Sequence, residues 1–360
     1  YNANGTLDTS WNGSGKVMTP GSSSDHATAM VVQPDGKVLL GGTCYNSGIA
    51  AFCAVRYNAN GTLDTSWNGT GKVTTAVSIG NDTAEAMVLQ PDGKVLLAGY
   101  CAVATSADFC AVRYNPNGTL DSNWNGTGKV ITAVGSSSDF ASAMALQPDG
   151  KVLLAGRCLN GTSNNFCAVR YNIDGTLDAG WSADGKVFTA VGGINDNGNA
   201  LVVQPDGKIL ISGYCSNGTN FHFCAVRYHS NATLDQSWNG TGKVTTQIAS
   251  SGDTLASAMV LQPDGKVLLA GYCGNGININ FDFCAARYDG GPFGYKACSL
   301  DIDGDNQTIA TIDGLISTRV MLGMTGAAVI NDITFAPHAR RNTWPLIRDY
   351  LVTQCGMVIP

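Results

Sequence analysis

Apolar positions along this chain fall into short alternating or unbroken runs separated by turn residues, and the runs return at a fixed interval. QPDGK stands at Gln33, Gln90, Gln147, Gln204 and Gln262, spaced 57, 57, 57 and 58 residues apart, a period that marks a repeat architecture. Each unit carries RYNxNGTLDxSWNGTGKVxT, a variable Gly/Ser/Asp loop, AMVLQPDGKVLLAGYC, a second loop and FCAVR. The units run 1–56, 57–113, 114–170, 171–227 and 228–287.

Four short strands are predicted per unit. AMVLQ is followed by an Asp-Gly turn and by KVLLAGYC, whose unbroken apolar run predicts burial on both faces. FCAVRY is the third strand, and TLDTSW, after an Asn-Gly turn, is assigned as the fourth. Four strands in a unit of this length make a propeller blade; a β-solenoid would have shorter coils. The expected fold is therefore an all-β repeat, a five-bladed β-propeller of four-stranded blades over residues 1–288.

The repeat breaks after Arg287. Residues 289–297 form a Gly/Pro/aromatic linker, and residues 298–360 are expected to form a small α-helical domain, with helices over GLISTRVMLG and TWPLIRDYLVTQCG. Its first segment, DIDGDNQTIATID, places Asp301, Asp303, Asp305 and Asp313 where hard oxygens could wrap Ca²⁺. This segment resembles the loop-helix half of dockerin and EF-hand modules, which would imply a bound Ca²⁺. Asn306 replaces the usual Gly, and the last acid comes one place late. The alternative is that the aspartates cap and solvate a helix start.

Twelve cysteines follow the repeat register. Cys44/Cys53, Cys101/Cys110, Cys158/Cys167, Cys215/Cys224 and Cys273/Cys284 each close a second-to-third strand hairpin, and Cys298/Cys355 would pin the ends of the C-terminal segment. Six disulfides are predicted, implying an oxidising compartment. Metal binding is the weaker reading, because paired CxxC knuckles are missing.

The phrases NGTLDTSW, QPDGKVLLAG and FCAVRYN resemble the delta-60 repeat, a bacterial secreted module, over residues 1 to about 288. The resemblance implies a β-propeller and secretion, and little about activity.

Only 13% of the residues are charged and the formal net charge is −6. Acidic balance without a Lys/Arg block argues against nucleic acid as a partner, and no apolar run is long enough for a membrane span. The start at Tyr1, with no charged-then-apolar leader, is expected of a processed or trimmed form.

A catalytic site needs each group once, yet the conspicuous polar residues recur. They include Asp8, Asp64, Asp121, Asp178 and Asp235, and Arg56, Arg113, Arg170, Arg227 and Arg287. Each Arg is expected to lay its stem on apolar surface and to meet a carboxylate or carbonyl of its own or the next blade. Trp67, Trp124, Trp181 and Trp238 are either inter-blade packing or glycan-stacking platforms. The four histidines are scattered, and no nucleophile–base pair is visible, so no enzyme is expected.

Tyr1–Val17 carries a fourth-strand sequence without the preceding three, while the last unit lacks one. Pairing within the chain would close the ring, the expected arrangement; pairing with another copy would make a fibre. The expected function is a secreted bacterial structural or adhesive scaffold of the cell surface. It would self-assemble into a filament or matrix through its terminal strand and C-terminal module. The alternative is a lectin-like propeller binding extracellular glycans between blades.

Overall fold

In the computed structural model, the described residues are 1–21, 23–249, 252–262, 264–274, 281–290, 302, 312–321, 324–335, 339 and 341–353. Nineteen strands form five sheets among them. The first holds β1 (Ser24–Val32), β2 (Val38–Asn46), β3 (Ile49–Tyr57) and β4 (Lys72–Thr75). The second holds β5 (Asp82–Leu89), β6 (Val95–Val103), β7 (Ser106–Tyr114) and β8 (Lys129–Thr132). The third holds β9 (Asp139–Leu146), β10 (Val152–Asn160), β11 (Ser163–Tyr171) and β12 (Lys186–Thr189). The fourth holds β13 (Asp196–Val203), β14 (Ile209–Ser216), β15 (Phe221–Tyr228) and β16 (Lys243–Thr246). The fifth has three strands, β17 (Thr254–Leu261), β18 (Val267–Gly274) and β19 (Phe281–Tyr288). Each sheet is a meander in chain order.

The fourth strand differs from the sequence expectation. TLDTSW is not a strand: Leu63 makes only an isolated bridge to Tyr57, and the pairing strand is the later KVTT, with Val55 opposite Lys72 and Phe52 opposite Thr75. Local turn chemistry wins over β propensity here. Asp64 Oδ1 accepts the Ser66 amide, the Trp67 amide donates to the Asp64 carbonyl, and Asn68 sits at φ 50°, an Asx turn followed by a left-handed residue. A blade accordingly spans Ser24–Thr75, out of phase with the sequence units.

One bulge recurs at the same place in the first strand of sheets one to four, between Ala27 and Ala29, Ala84 and Ala86, and their equivalents opposite β10 and β14. Opposite it stands Gly42, Gly99, Gly156 or Gly213, where an added Cβ would overlap a carbonyl oxygen across the ladder. The glycine of the VLLAG phrase is thus set by backbone approach at a bulge.

Successive sheets pack face on face, and the cores lie between them. Leu39, Phe52, Ala54, Trp67 and Val73 of the first repeat are buried with Met87, Leu97, Cys101, Cys110, Val112 and Tyr114 of the second. The second and third repeats, and the third and fourth, form equivalent clusters. Five disulfides are formed: Cys44–Cys53, Cys101–Cys110, Cys158–Cys167, Cys215–Cys224 and Cys273–Cys284, with Cα separations of 5.8 to 6.0 Å. Cys298 and Cys355 lie outside the described residues.

The chain divides into two compact units, residues 1–260 with 269–286, and residues 261–268 with 287–360. Within the second, α1 (Asp313–Met321), α2 (Ala327–Ile330) and α3 (Trp344–Thr353) bring Ile316, Val320, Val329, Ile347 and Leu351 together with Ile302. No helix among the described residues is long and apolar enough to cross a membrane.

Two stability changes follow. Replacing Cys158 and Cys167 together by serine should cost about 2.5 kcal/mol, the loop-closure value for so short a ring, read as a lowered denaturant midpoint. Gly156→Ala should lower it too, by displacing β9 from β10, while an alanine at the solvent-exposed Gly161 turn should cost only the strain of its positive φ.

Candidate functional site

The recurrent polar residues converge at the junctions between sheets. Arg56, on β3, projects its guanidinium onto the Asp64 carboxylate at 2.8 Å and donates from Nη1 to the Pro116 carbonyl of the next repeat at 2.8 Å. Arg113 does the same with Asp121 and the Ile173 carbonyl, both at 2.8 Å. Arg170 reaches Asp178 at 2.8 Å and the Ser230 carbonyl at 2.9 Å, and Arg227 reaches Asp235 at 2.9 Å. All four arginines are buried. Each lies over the indole of its own repeat, Trp67, Trp124, Trp181 or Trp238, 5.2 to 5.6 Å from the ring centre.

Further links cross the same junctions. The Tyr114 hydroxyl donates to Thr75 and that of Tyr171 to Thr132, both at 2.7 Å, and Tyr228 pairs with Thr189 at 2.5 Å. Trp67 meets Tyr114 edge to face at 6.3 Å, and Trp124 meets Tyr171 at 6.1 Å. Lys129 Nζ donates to the Ala76 carbonyl and Lys186 Nζ to that of Ala133, at 2.7 and 2.8 Å. Within a blade, Lys37 and Lys151, from the PDGK hairpins, add a second cation to Asp64 at 3.2 Å and to Asp178 at 2.8 Å. The hairpin lysines and the Tyr–Thr links were not singled out from the sequence; their recurrence in every QPDGK and RY phrase was the available signal.

The electrostatics are those of a clamp. Burial by itself would raise the Asp64 carboxyl, but Ser66, Lys37 and Arg56 outweigh it and hold the group at about 2. Asp178 and Asp235 are likewise held below the usual carboxylate range, Lys151 with Arg170 and Ser237 with Arg227 outweighing burial. Burial pushes the Tyr114, Tyr171 and Tyr228 phenols up, against the smaller effect of their threonine partners. A carboxylate kept ionised beside a permanently charged guanidinium neither gives nor takes a proton near neutral pH, so the arrangement holds sheets together and does no acid–base work.

The glycan-platform reading of the tryptophans is corrected by this geometry. Trp67, Trp124 and Trp181 have no exposed surface and Trp238 has 5%. An arginine covers each ring, and the next blade's tyrosine meets Trp67 and Trp124 as well, so these buried indoles offer no platform to a sugar. Of the acidic residues named for Ca²⁺, Asp301, Asp303 and Asp305 lie outside the described residues. Asp313 is buried at the start of α1, where its Oδ1 accepts the Ile302 amide at 2.6 Å and so ties the two segments together. Among the described residues no cluster of three or more His, Cys, Asp or Glu could hold a metal.

Arg113→Ala leaves Asp121 buried without its guanidinium and should cost about 3 to 5 kcal/mol, with Arg113→Ala/Asp121→Ala costing less than the sum of the two singles; denaturant melts of the four proteins check it. The lowered carboxyls contribute stability that is complete above the unfolded value near 4 and is lost as pH falls toward 2. The raised phenols make stability fall again above pH 10, where unfolded tyrosines ionise and buried ones do not. Thermal melts across pH 2 to 11 should therefore show a broad plateau falling at both ends.

Four segments, 33–66, 90–123, 147–180 and 204–237, match the model of a family described as a domain of unknown function (DUF5122) beta-propeller. The sequence matches no curated protein. Among solved structures the chain is similar to a protein from Lactobacillus plantarum, at 14% identity and a TM-score of 0.42, over 73% of this chain and 71% of that one. It is similar to a PL25 ulvan lyase at 10% identity and a TM-score of 0.33, over 72% and 70%. It is similar to Drosophila Semaphorin 1b at 11% identity and a TM-score of 0.38, over 79% and 57%. At such scores none of these likenesses bears on what this chain does. The family matches fall one in each of four consecutive repeats, in keeping with the all-β, propeller-like sheets of the first unit.

Proposed function

We propose that this protein is an extracellular structural scaffold, secreted by a bacterium and assembling with copies of itself into a surface filament or matrix. The observation that carries the reading is where the recurrent chemistry is spent: every Arg–Asp–Trp set from Arg56 to Trp238 is buried between sheets and bonded there. A disulfide in each of the five sheets adds to a body made for fixed shape, and the bridges are compatible with life outside the cell. No catalytic step is assigned to it. Ca²⁺ at Asp301, Asp303, Asp305 and Asp313 belongs to the same proposal, as the ion its acidic segment would hold.

Negative-stain microscopy and light scattering of the purified chain at rising concentration, with and without Ca²⁺, test the reading. Regular polymers of chain-sized subunits are expected. Discrete single-chain particles at every concentration would overturn it.

A further inference from the structure

The junction that recurs between consecutive sheets is half-made on the outer faces of the first and fifth sheets among the described residues. Phe52, Phe109, Phe166 and Phe223 stand at one position of the third strand, and all four are 0% exposed. The fifth, Phe283 on β19, is 103% exposed. In the first strand Met87, Met144 and Met259 are no more than 9% exposed, whereas Met30 on β1 is 63% exposed. The fifth sheet thus shows the face that elsewhere lies beneath a following sheet, and the first sheet shows the face that elsewhere lies on a preceding one.

Residues 1–20 sharpen the match. They lie on the first sheet as each fourth-strand segment lies on the sheet after it. Trp11 meets Tyr57 edge to face at 6.2 Å, the Tyr57 hydroxyl donates to Thr19 at 2.7 Å, and the Asn12 amide donates to the Asn60 carbonyl at 2.7 Å. Lys72 donates to the Pro20 carbonyl, as Lys129 does to Ala76. Yet Lys16–Thr19 belongs to no ladder among the described residues, and β19, the last strand of its sheet, has β18 as its only neighbour there. Between this segment and the first sheet is a cavity of about 360 Å³ whose lining includes Val17, Ala27, Leu40, Cys53, Val55 and Tyr57. Their counterparts one repeat on, Val73, Ala84, Leu97, Cys110, Val112 and Tyr114, share a buried cluster with Phe52. The cavity is the seat of a third-strand phenylalanine, with the phenylalanine missing.

We infer that the fifth sheet of one molecule docks on the first sheet of a second copy, with Phe283 entering the Val17–Tyr57 cavity and β19 pairing with Lys16–Thr19 of that copy. This rests on the assembly reading above and names its interface. The occupant is a copy of the same chain because the junction continues one already built three times between sheets of this molecule. The contact is heterologous, one face against a different face, so it propagates head to tail. The internal ladders fix its register: Val55, Val112, Val169 and Val226 stand opposite Lys72, Lys129, Lys186 and Lys243, which puts Ala286 opposite Lys16.

The test uses the whole 360-residue chain. Lys16→Cys in one and Ala286→Cys in another, mixed under mild oxidation, should give a covalent pair on a non-reducing gel, and the double variant should give a ladder. Phe283→Glu should weaken association by about tenfold or more, as expected for a central buried aromatic, with the chain's melting midpoint unchanged because the side chain is fully exposed in the single molecule. A double variant that cross-links only within its own chain overturns the inference in favour of ring closure. Polymers that persist unchanged with Phe283→Glu and yield no Lys16–Ala286 cross-link overturn it while sparing the scaffold reading. Absence of any association by the unmodified chain overturns both.

Discussion

A sheet whose two faces are both apolar cannot stand alone in water, and every other feature of the first unit answers to that constraint. A sheet inside the stack buries one face on the sheet before it and the other on the sheet after it, so the core is a series of slabs between sheets, with no single centre. Among the described residues three such slabs join the first four sheets. Any open stack of sheets leaves one face over at each end, unless the ends meet each other or another molecule.

The polar clamps are subordinate to this stacking and make it specific. Apolar faces alone would slide; a guanidinium fixed at once to its own repeat's carboxylate and to the next repeat's carbonyl permits one offset. Such pairs are costly to bury and costlier to break. Their recurrence in unbroken register fits a part played in defining geometry more than in adding net stability. The disulfides act within sheets, where they hold the second and third strands together at the end farthest from the PDGK turn.

Much of this was legible in the residues. The QPDGK interval gave the number of repeats, and the cysteine register gave the five bridges formed among the described residues. The heads of Arg56, Arg113 and Arg170 do meet both a carboxylate of their own repeat and a carbonyl of the next. What misled was TLDTSW, whose Thr, Leu and Trp suit a strand by propensity, while Asp64 and Asn68 bend the backbone into a turn that a short window does not weigh. Tryptophan exposure was equally hidden, since an indole at the end of a strand is a platform or a plug according to what lies above it.

The sequence by itself determined the repeat, the first three strands of each unit with the turn between the first two, and the five cysteine pairs formed among the described residues, because these depend on chemistry a few residues apart. Only the tertiary structure decided that Trp67 and Arg56 are sealed beneath the next sheet, that the closing strand is KVTT, and that Phe283 is exposed while a cavity opens beside Val17. Burial is a property of two surfaces, and a linear pattern names only one of them.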